Sequence, residues 1–267
     1  MTHLRLNRSH VLKIEKSRLK IKQISQYHVI YMKVVLFDID HTIMASPPGT
    51  NAIASEKAFK ECFGISASED SVEKVGMTEW GIIEKVLLEH GSDLVPADDI
   101  QRQVPDKIYQ RWAEILEAEC VNKPSTLLPG VWELVEALSN DMDFKLGLLT
   151  GNSYWRSEVK LKSVGIDEFF RERSGRLIGA FGNEARTRSG LIAFAEDRLK
   201  YDSDALALVD DSLLGAQMVK DRKDIYGIFV GTGNASVEEL RVSGKPVFED
   251  LGESRWQQAY QLLKEWA

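Results

Sequence analysis

From residue 130 onward, the chain alternates short apolar runs with segments of helical periodicity, and this alternation restricts the fold more than any other feature of the sequence. The apolar runs predict strands, and the first of them lies far upstream, directly after Met32. The predicted strands are 33–37, 145–149, 177–181, 205–209 and 225–230. The predicted helices are 131–139, 153–164, 188–199, 213–220 and 255–265. Because strands joined by crossover helices run parallel, we predict an α/β fold with a parallel sheet covered by helices on both faces.

A segment of a different kind separates the first two predicted strands. Residues 46–128 begin and end in stretches that contain Pro and Gly, Ala45–Thr50 and Asn122–Gly130. Three helices are predicted between these stretches, at 52–63, 79–90 and 98–121. We therefore predict an all-helical domain, residues 46–128, inserted into a core formed by residues 33–45 and 129–267.

Residues 1–32 differ in charge from the rest of the chain. They carry seven basic side chains and one acidic side chain, whereas the whole chain has a net charge of −7. We favour a loosely ordered extension upstream of a functional start near Met32. A basic transit peptide and an arm for a nucleic acid or a membrane surface are the alternatives.

Composition excludes several classes of protein. Hydrophobic residues make up 43% of the chain and charged residues 28%, which is typical of a globular protein and too apolar for disorder. Cys62 and Cys120 are too few for a disulfide framework or a zinc site made of cysteines alone. Apolar runs are too short to span a membrane, and the acidic body lacks the basic footprint of nucleic-acid binding. We expect a soluble, cytoplasmic protein that binds neither nucleic acid nor a membrane, and its oligomeric state stays open.

Polar side chains follow three of the predicted strands. The first strand ends in Asp38-Ile-Asp-His-Thr42, the second in Thr150-Gly-Asn-Ser153 and the fourth in Asp210-Asp-Ser212. A single acidic strand end could be a turn whose carboxylates accept backbone hydrogen bonds. Ligands of open α/β sheets bind at the carboxyl ends of the strands, so we expect these three groups to meet in one crevice.

These motifs, in this order, resemble the haloacid dehalogenase superfamily and in particular its phosphoglycolate-phosphatase-like hydrolases. The resemblance covers residues 33 to about 250 and also includes Lys160-Leu-Lys-Ser-Val-Gly-Ile166 and Phe181-Gly-Asn-Glu-Ala-Arg-Thr-Arg188. It implies a Rossmann-like core and identifies the helical insert as the family's cap domain.

The resemblance implies roles for the acidic residues. Asp38 would attack phosphorus and form an aspartyl-phosphate, and Asp40 would protonate the leaving alkoxide and later accept a proton from water. Family dehalogenases lack the second acid, so Asp40 favours phosphoryl chemistry. Mg²⁺ would be held by Asp38, the Asp40 carbonyl and Asp211, with Asp210 as the alternative to Asp211.

It also implies the groups that hold the phosphoryl oxygens. Thr150 and the backbone around Gly151 would donate hydrogen bonds, with Asn152 close by. Arg188 matches the family's cation that neutralises charge on the nucleophile and the phosphate, although a solvated surface arginine is an alternative interpretation.

Three positions depart from the family pattern. Gly215 stands where a second acid usually follows the paired aspartates, and His41 replaces a usual glycine. Gly76-Met-Thr-Glu79 lacks an arginine that relatives often carry in the cap, so a substrate-facing cation is expected to be absent. We expect Gly215 to raise the Mg²⁺ requirement and Gly215→Asp to lower it, unless another acid, with Asp210 nearest, has taken over the role.

Three functions are compatible with these observations. The first is an Mg²⁺-dependent phosphatase that acts on a small phosphorylated metabolite. The second is a catalytically weakened relative that binds a phosphorylated ligand or a partner protein. The third is a phosphomutase, because the same acids would serve it. The sequence favours the phosphatase.

Overall fold

A parallel sheet organises the described part of the chain, which in this computed structural model comprises residues 32–74, 76–91, 106–199 and 205–266. The strands are β1 (Lys33–Phe37), β2 (Met44–Ala45), β3 (Thr126–Leu127), β4 (Phe144–Thr150), β5 (Gly179–Phe181), β6 (Leu206–Asp210), β7 (Tyr226–Val230) and β8 (Val247–Phe248). Six of them form one sheet in the order β5-β4-β1-β6-β7-β8, and every neighbouring pair is parallel. The predicted parallel α/β sheet is confirmed.

The helices are α1 (Thr50–Phe63), α2 (Glu79–His90), α3 (Asp106–Asn122), α4 (Val131–Ser139), α5 (Tyr154–Ser163), α6 (Arg188–Leu199), α7 (Leu213–Asp221), α8 (Val237–Leu240) and α9 (Arg255–Glu265). Helices α4 to α9 cover both faces of this sheet, whereas α1 to α3 lie in the segment between β2 and β3. Alternate residues of β1 enter two different hydrophobic clusters, because successive side chains of a strand point to opposite faces. Val35 and Phe37 pack with α4, α5 and α9, whereas Val34 and Leu36 pack with α6, α7 and α8.

The described part of residues 46–128, which we call the insertion, buries a third hydrophobic cluster, and Trp155 and Val159 of α5 pack against it. Phe59 of α1, Ile83 of α2 and Trp112 of α3 are fully buried in it. The insertion leaves and rejoins the rest of the chain through the antiparallel pair β2 and β3, in which Met44 lies opposite Leu127. The sequence did not predict this pair, since each strand has only two residues beside a Pro- or Gly-containing stretch.

Some predictions fall outside the described residues. The basic extension lies outside them except for Met32. The third helix of the insertion is predicted to start at residue 98, which also lies outside them, and this helix is described from Asp106. None of the helices in the described ranges combines the length and the apolar character needed to cross a bilayer.

The register of the central strands brings the three polar strand ends to one edge. Phe37 of β1 lies opposite Leu148 of β4 and Val209 of β6. The residues that follow these partners, Asp38 and Asp210 among them, therefore leave the sheet side by side. This edge carries the candidate site.

Gly130 begins α4 at the return from the insertion, and we predict that it tolerates no side chain. Its φ is +73°, and a Cβ there would lie 1.7 Å from the backbone oxygen of Leu251. Gly130→Ala should lower the free energy of unfolding by about 3 kcal/mol or more, because left-handed strain adds to a backbone clash that no rotamer relieves.

Gly64 is the matched control, since its φ is +71° and the space that a Cβ would occupy is open, with no contact within 4 Å. Gly64→Ala should cost about 1 kcal/mol from backbone strain alone. Urea unfolding of both variants measures the difference. Equal destabilisation would show that the close approach of Leu251 does not constrain Gly130.

Candidate active site

Three buried carboxylates meet at the carboxyl edge of the sheet. Asp38 follows β1, Asp210 ends β6 and Asp211 follows it, and each is at most 6% exposed. One oxygen from each residue lies within 4.8 Å of the other two. Burial, together with repulsion from Asp38 and Asp210, raises the pKa of Asp211 to about 8. Burial also raises the pKa of Asp210, and the nearby Asp38 adds to this effect.

Arg188 supplies the positive charge of this cluster. It is the first residue of α6, and its guanidinium forms an ion pair with Asp38 and lies 3.5 Å from Asp210. A hydrogen bond of 3.0 Å to the hydroxyl of Ser212 fixes its orientation. Since Arg188 is only 9% exposed, the interpretation as a solvated surface arginine is wrong.

The turn after β1 fixes Asp211 from the other side. Thr42 donates a hydrogen bond of 2.9 Å to Asp211. His41 has a φ of +59°, a left-handed conformation that glycine adopts without strain, which is a physical reason for the glycine usual at this position. The His41 side chain is exposed, and its backbone carbonyl accepts a hydrogen bond from Thr232.

Asp40 lies in a second cluster with Lys160 and Asn152. The Lys160 ammonium donates to both Asp40 oxygens at 2.7 Å and to the side-chain oxygen of Asn152 at 2.8 Å. The Asn152 amide donates to Asp40 at 2.8 Å. Burial raises the pKa of Asp40, but the charge and hydrogen bonds of Lys160 and Asn152 outweigh burial and hold it well below its usual value. Asp40 is therefore a carboxylate in this arrangement.

The loop of residues 150–153 connects the cluster of Asp40 and Lys160 with the insertion. The Thr150 hydroxyl accepts hydrogen bonds from the backbone and side-chain nitrogens of Asn152, at 3.3 and 3.0 Å. A Cβ on Gly151 would lie 3.2 Å from the Met77 carbonyl oxygen, so the insertion packs directly on this loop. Thr78 accepts a hydrogen bond from the backbone nitrogen of Gly81 and so caps α2.

Gly215 faces Asp210. A Cβ at residue 215 would lie 2.6 Å from the carboxyl carbon of Asp210, so the carboxylate of Asp210 fills the space that a side chain at 215 would need. This geometry argues against the expectation that Gly215→Asp restores a missing acid. It favours the stated alternative, in which Asp210 has taken over the role.

The donor set of the first cluster fits a small, hard divalent cation. Mg²⁺ binds carboxylate and carbonyl oxygens, and three buried carboxylates against one guanidinium leave an excess of negative charge. The raised pKa values of Asp210 and Asp211 reflect burial and the repulsion between these negative charges, and a bound cation would reduce that repulsion.

The structure brings the site residues expected from sequence into two adjoining groups. Asp38, Arg188, Asp210 and Asp211 form one of them, and Asp40, Thr150, Gly151 and Asn152 lie in or beside the other. No role was predicted from the sequence for Lys160 or for Arg156, which lies one turn earlier on α5. Both positions fall on the buried face of α5, together with Ser157 and Leu161. A cation on an otherwise buried helix face was the signal that could have identified them.

Comparison with known proteins identifies a family and a shared fold. A family model described as haloacid dehalogenase-like hydrolase matches residues 32–221. The structure of CbbY from Rhodobacter sphaeroides in complex with phosphate is 17% identical, with a TM-score of 0.58, and the match covers 84% of this chain and 96% of that chain. A haloacid dehalogenase hydrolase, family IA, variant 3, from Entamoeba histolytica is 16% identical, with a TM-score of 0.57, over 88% of this chain and 100% of that chain. At these identities, the two structures show a shared fold.

One curated protein matches over a shorter stretch. The tail sheath protein of Vibrio phage KVP40 is 33% identical over 86 residues, which are 32% of this chain and 12% of the length of that protein. The family model, in contrast, spans more than half of the chain and includes the carboxylates at the ends of β1 and β6. This chain belongs to the haloacid dehalogenase-like hydrolases.

Proposed function

We propose that this protein is an Mg²⁺-dependent phosphatase that hydrolyses a small phosphorylated metabolite through an aspartyl-phosphate on Asp38. The observation that carries the proposal is the ion pair of Arg188 with Asp38 inside a group of three buried carboxylates. A carboxylate that attacks an anionic phosphate ester needs positive charge beside both partners. Arg188 provides one such charge. Mg²⁺ held by Asp38, Asp210 and Asp211 would supply another, to neutralise charge on the transferring phosphoryl group.

Asp40 must be ionised for one proton transfer and protonated for the other, and its contact with Lys160 favours the ionised state. While paired with Lys160, Asp40 is ionised and can accept a proton from the water that hydrolyses the aspartyl-phosphate. The proton that Asp40 takes from this water is the one that it gives to the leaving alkoxide of the next turnover, and the Lys160 ammonium opposes the protonated state of Asp40 in between. The reaction therefore requires the Asp40–Lys160 contact to loosen when the substrate enters.

The insertion acts in this proposal as a cap over the site, with residues 33–45 and 129–267 as the catalytic core. Its support is the separate hydrophobic cluster of the insertion and the contact of Met77 with Gly151. Asp38, Thr150 and Asn152 are each at most 7% exposed, so a substrate must be small or the cap must move aside to admit it. The phosphate in the CbbY structure is bound to that protein. The fold that CbbY shares with this chain is compatible with a phosphatase.

The first prediction from the proposed function concerns the nucleophile. Asp38→Asn should lower the turnover of any accepted phosphate ester by a factor of about 10³ or more, because the amide cannot attack phosphorus. Phosphate release from a panel of sugar, hydroxy-acid and nucleoside monophosphates with Mg²⁺ measures it, and acid quenching traps the aspartyl-phosphate. Asp197→Asn, at an exposed position on α6, is the matched control.

Three other outcomes of these assays would contradict the proposal. Full activity of Asp38→Asn would exclude the mechanism. Isomerisation of a sugar phosphate without phosphate release would identify a phosphomutase. Tight phosphate binding by a wild-type protein that turns over no ester would identify a non-catalytic binding protein.

The second prediction concerns pH and metal binding. The pKa of Asp211 is raised to about 8, so below that pH its carboxyl holds a proton that must leave before Mg²⁺ binds. The affinity for Mg²⁺ should fall as the pH is lowered from 8 to 6, by up to about tenfold per pH unit if one proton is released. Calorimetry in two buffers of different ionisation enthalpy counts the released protons. A pH-independent affinity with no proton release would contradict the prediction.

The third prediction concerns Gly215. Gly215→Asp should raise the half-saturating Mg²⁺ concentration by roughly 10–100-fold, because its side chain would displace Asp210. Asp210→Asn should raise it too. Leu213→Asp adds the same charge on the same helix at an exposed position and should have little effect. Mg²⁺ titrations of activity separate the variants. A lower requirement in Gly215→Asp would show that an acid is missing after all.

A further inference from the structure

Helix α5 carries two buried cations one turn apart, and the proposed mechanism uses only one of them. Lys160 is fully buried and bonds to Asp40 and Asn152. Arg156 is 4% exposed and lies four residues earlier on the same face. Burying a guanidinium is costly unless it is paired and hydrogen-bonded, so the partners of Arg156 indicate what it is there to hold.

All of these partners belong to the insertion. Arg156 donates to Glu79 at 3.2 Å and to Asn51 at 3.2 Å, and it lies 3.7 Å from Glu69. Its guanidinium lies over the ring of Trp112, 4.1 Å from the centroid. Asn51 and Trp112 lie on α1 and α3, Glu79 begins α2, and Glu69 lies in the short turn between α1 and α2. One side chain of the core thus holds four separate elements of the insertion.

Glu79 links Arg156 to the 150–153 loop through hydrogen bonds. The carboxylate oxygen that accepts from Arg156 also accepts from the backbone nitrogen of Ser153 at 2.8 Å. The backbone nitrogen of Glu79 donates to the carbonyl of Gly151 at 2.8 Å. The next residue, Trp80, donates to Gly182 at 2.8 Å. Glu79 is therefore hydrogen-bonded to the loop on both sides of Asn152, at Gly151 and at Ser153.

We propose that Arg156 is a positioning residue for the phosphoryl group, which acts by holding Glu79 and thereby fixing the 150–153 loop. This inference rests on the proposed function, in which Gly151 and Asn152 hold the phosphoryl oxygens. Among the described residues, Arg156 contacts neither the carboxylate cluster nor Asp40, and its charge acts on Asp40 only from a distance, where it adds to the lowering of the pKa of that carboxyl. Loss of Arg156 should therefore weaken phosphate binding and leave metal binding unchanged.

The test compares Arg156→Met and Arg156→Lys with wild type. Arg156→Met should raise the KM of an accepted ester and the Ki of inorganic phosphate by about tenfold or more, because small misplacements of binding groups are costly. Arg156→Lys keeps the charge but loses the planar fork, so its effect should be intermediate. The half-saturating Mg²⁺ concentration should not change in either variant. Arg171→Lys is the matched control, since Arg171 pairs with Glu158 and Asp167 of the core.

A double-mutant cycle tests whether Arg156 acts on phosphate binding through Glu79. Glu79→Gln and Arg156→Lys should be strongly non-additive in the Ki of phosphate, because both act through the same contact. Glu69→Gln should combine with Arg156→Lys more nearly additively, as Glu69 lies farther away and is not hydrogen-bonded to the loop. These conservative variants decide the question if Arg156→Met fails to fold.

Three results would overturn the inference. A lower Tm with unchanged KM and Ki would assign Arg156 a purely structural role, and a joint shift of Mg²⁺ and phosphate affinities would place its effect on the metal site.

If wild type hydrolyses no ester, the proposed function fails, and amide exchange still tests the inference. The amides of Glu79, Trp80 and Ser153 should then exchange faster in Arg156→Lys, with weaker calorimetric binding of inorganic phosphate. Unchanged exchange and binding would overturn it.

Discussion

Mutual repulsion among Asp38, Asp210 and Asp211 is the interaction on which the rest of the structure depends. Each carboxylate alone would favour water, and burying all three side by side is unfavourable unless positive charge is placed beside them. Arg188 brings one such charge from α6. The strands that hold the aspartates must therefore resist being pushed apart. Packing on both faces of β1, with Val35 and Phe37 on one side and Val34 and Leu36 on the other, provides that resistance.

The positive charges near the site follow a common arrangement. Arg188 pairs with Asp38, Lys160 with Asp40, and Arg156 with Glu79, and all three cations are buried. Removing one member of a buried pair leaves the other charge without compensation, which is strongly unfavourable. Asp38, Asp40 and Glu79 thus each depend on one specific cation for charge compensation, and two of these cations lie on one helix, α5.

Sequence patterns were enough to predict the sheet and the carboxylate cluster. A strand such as β1 is recognisable by its apolar run, and Asp38 and Asp210 had to meet because parallel strands end at the same edge. The pair β2 and β3 and the edge strand β8 were missed, since two residues give no detectable periodicity. The role of Gly215 depended on where the Asp210 side chain points, and no spacing in the sequence encodes that direction. Lys160 and Arg156 were visible as cations on a buried helix face, but only tertiary contacts show which acids they pair with.

The antiparallel pair of β2 and β3 has a consequence for how this architecture can diversify. Met44 and Leu127 lie side by side, so the polypeptide departs from the core and returns to it at neighbouring points, about 5 Å apart as in any paired strands. A segment whose two ends are so close can be lengthened, shortened or exchanged without moving the strands that carry the aspartates. The length and sequence of the insertion can therefore change during evolution while β1 and β6 stay in place, as long as the contacts that Arg156 and Glu79 make between the insertion and the core are kept.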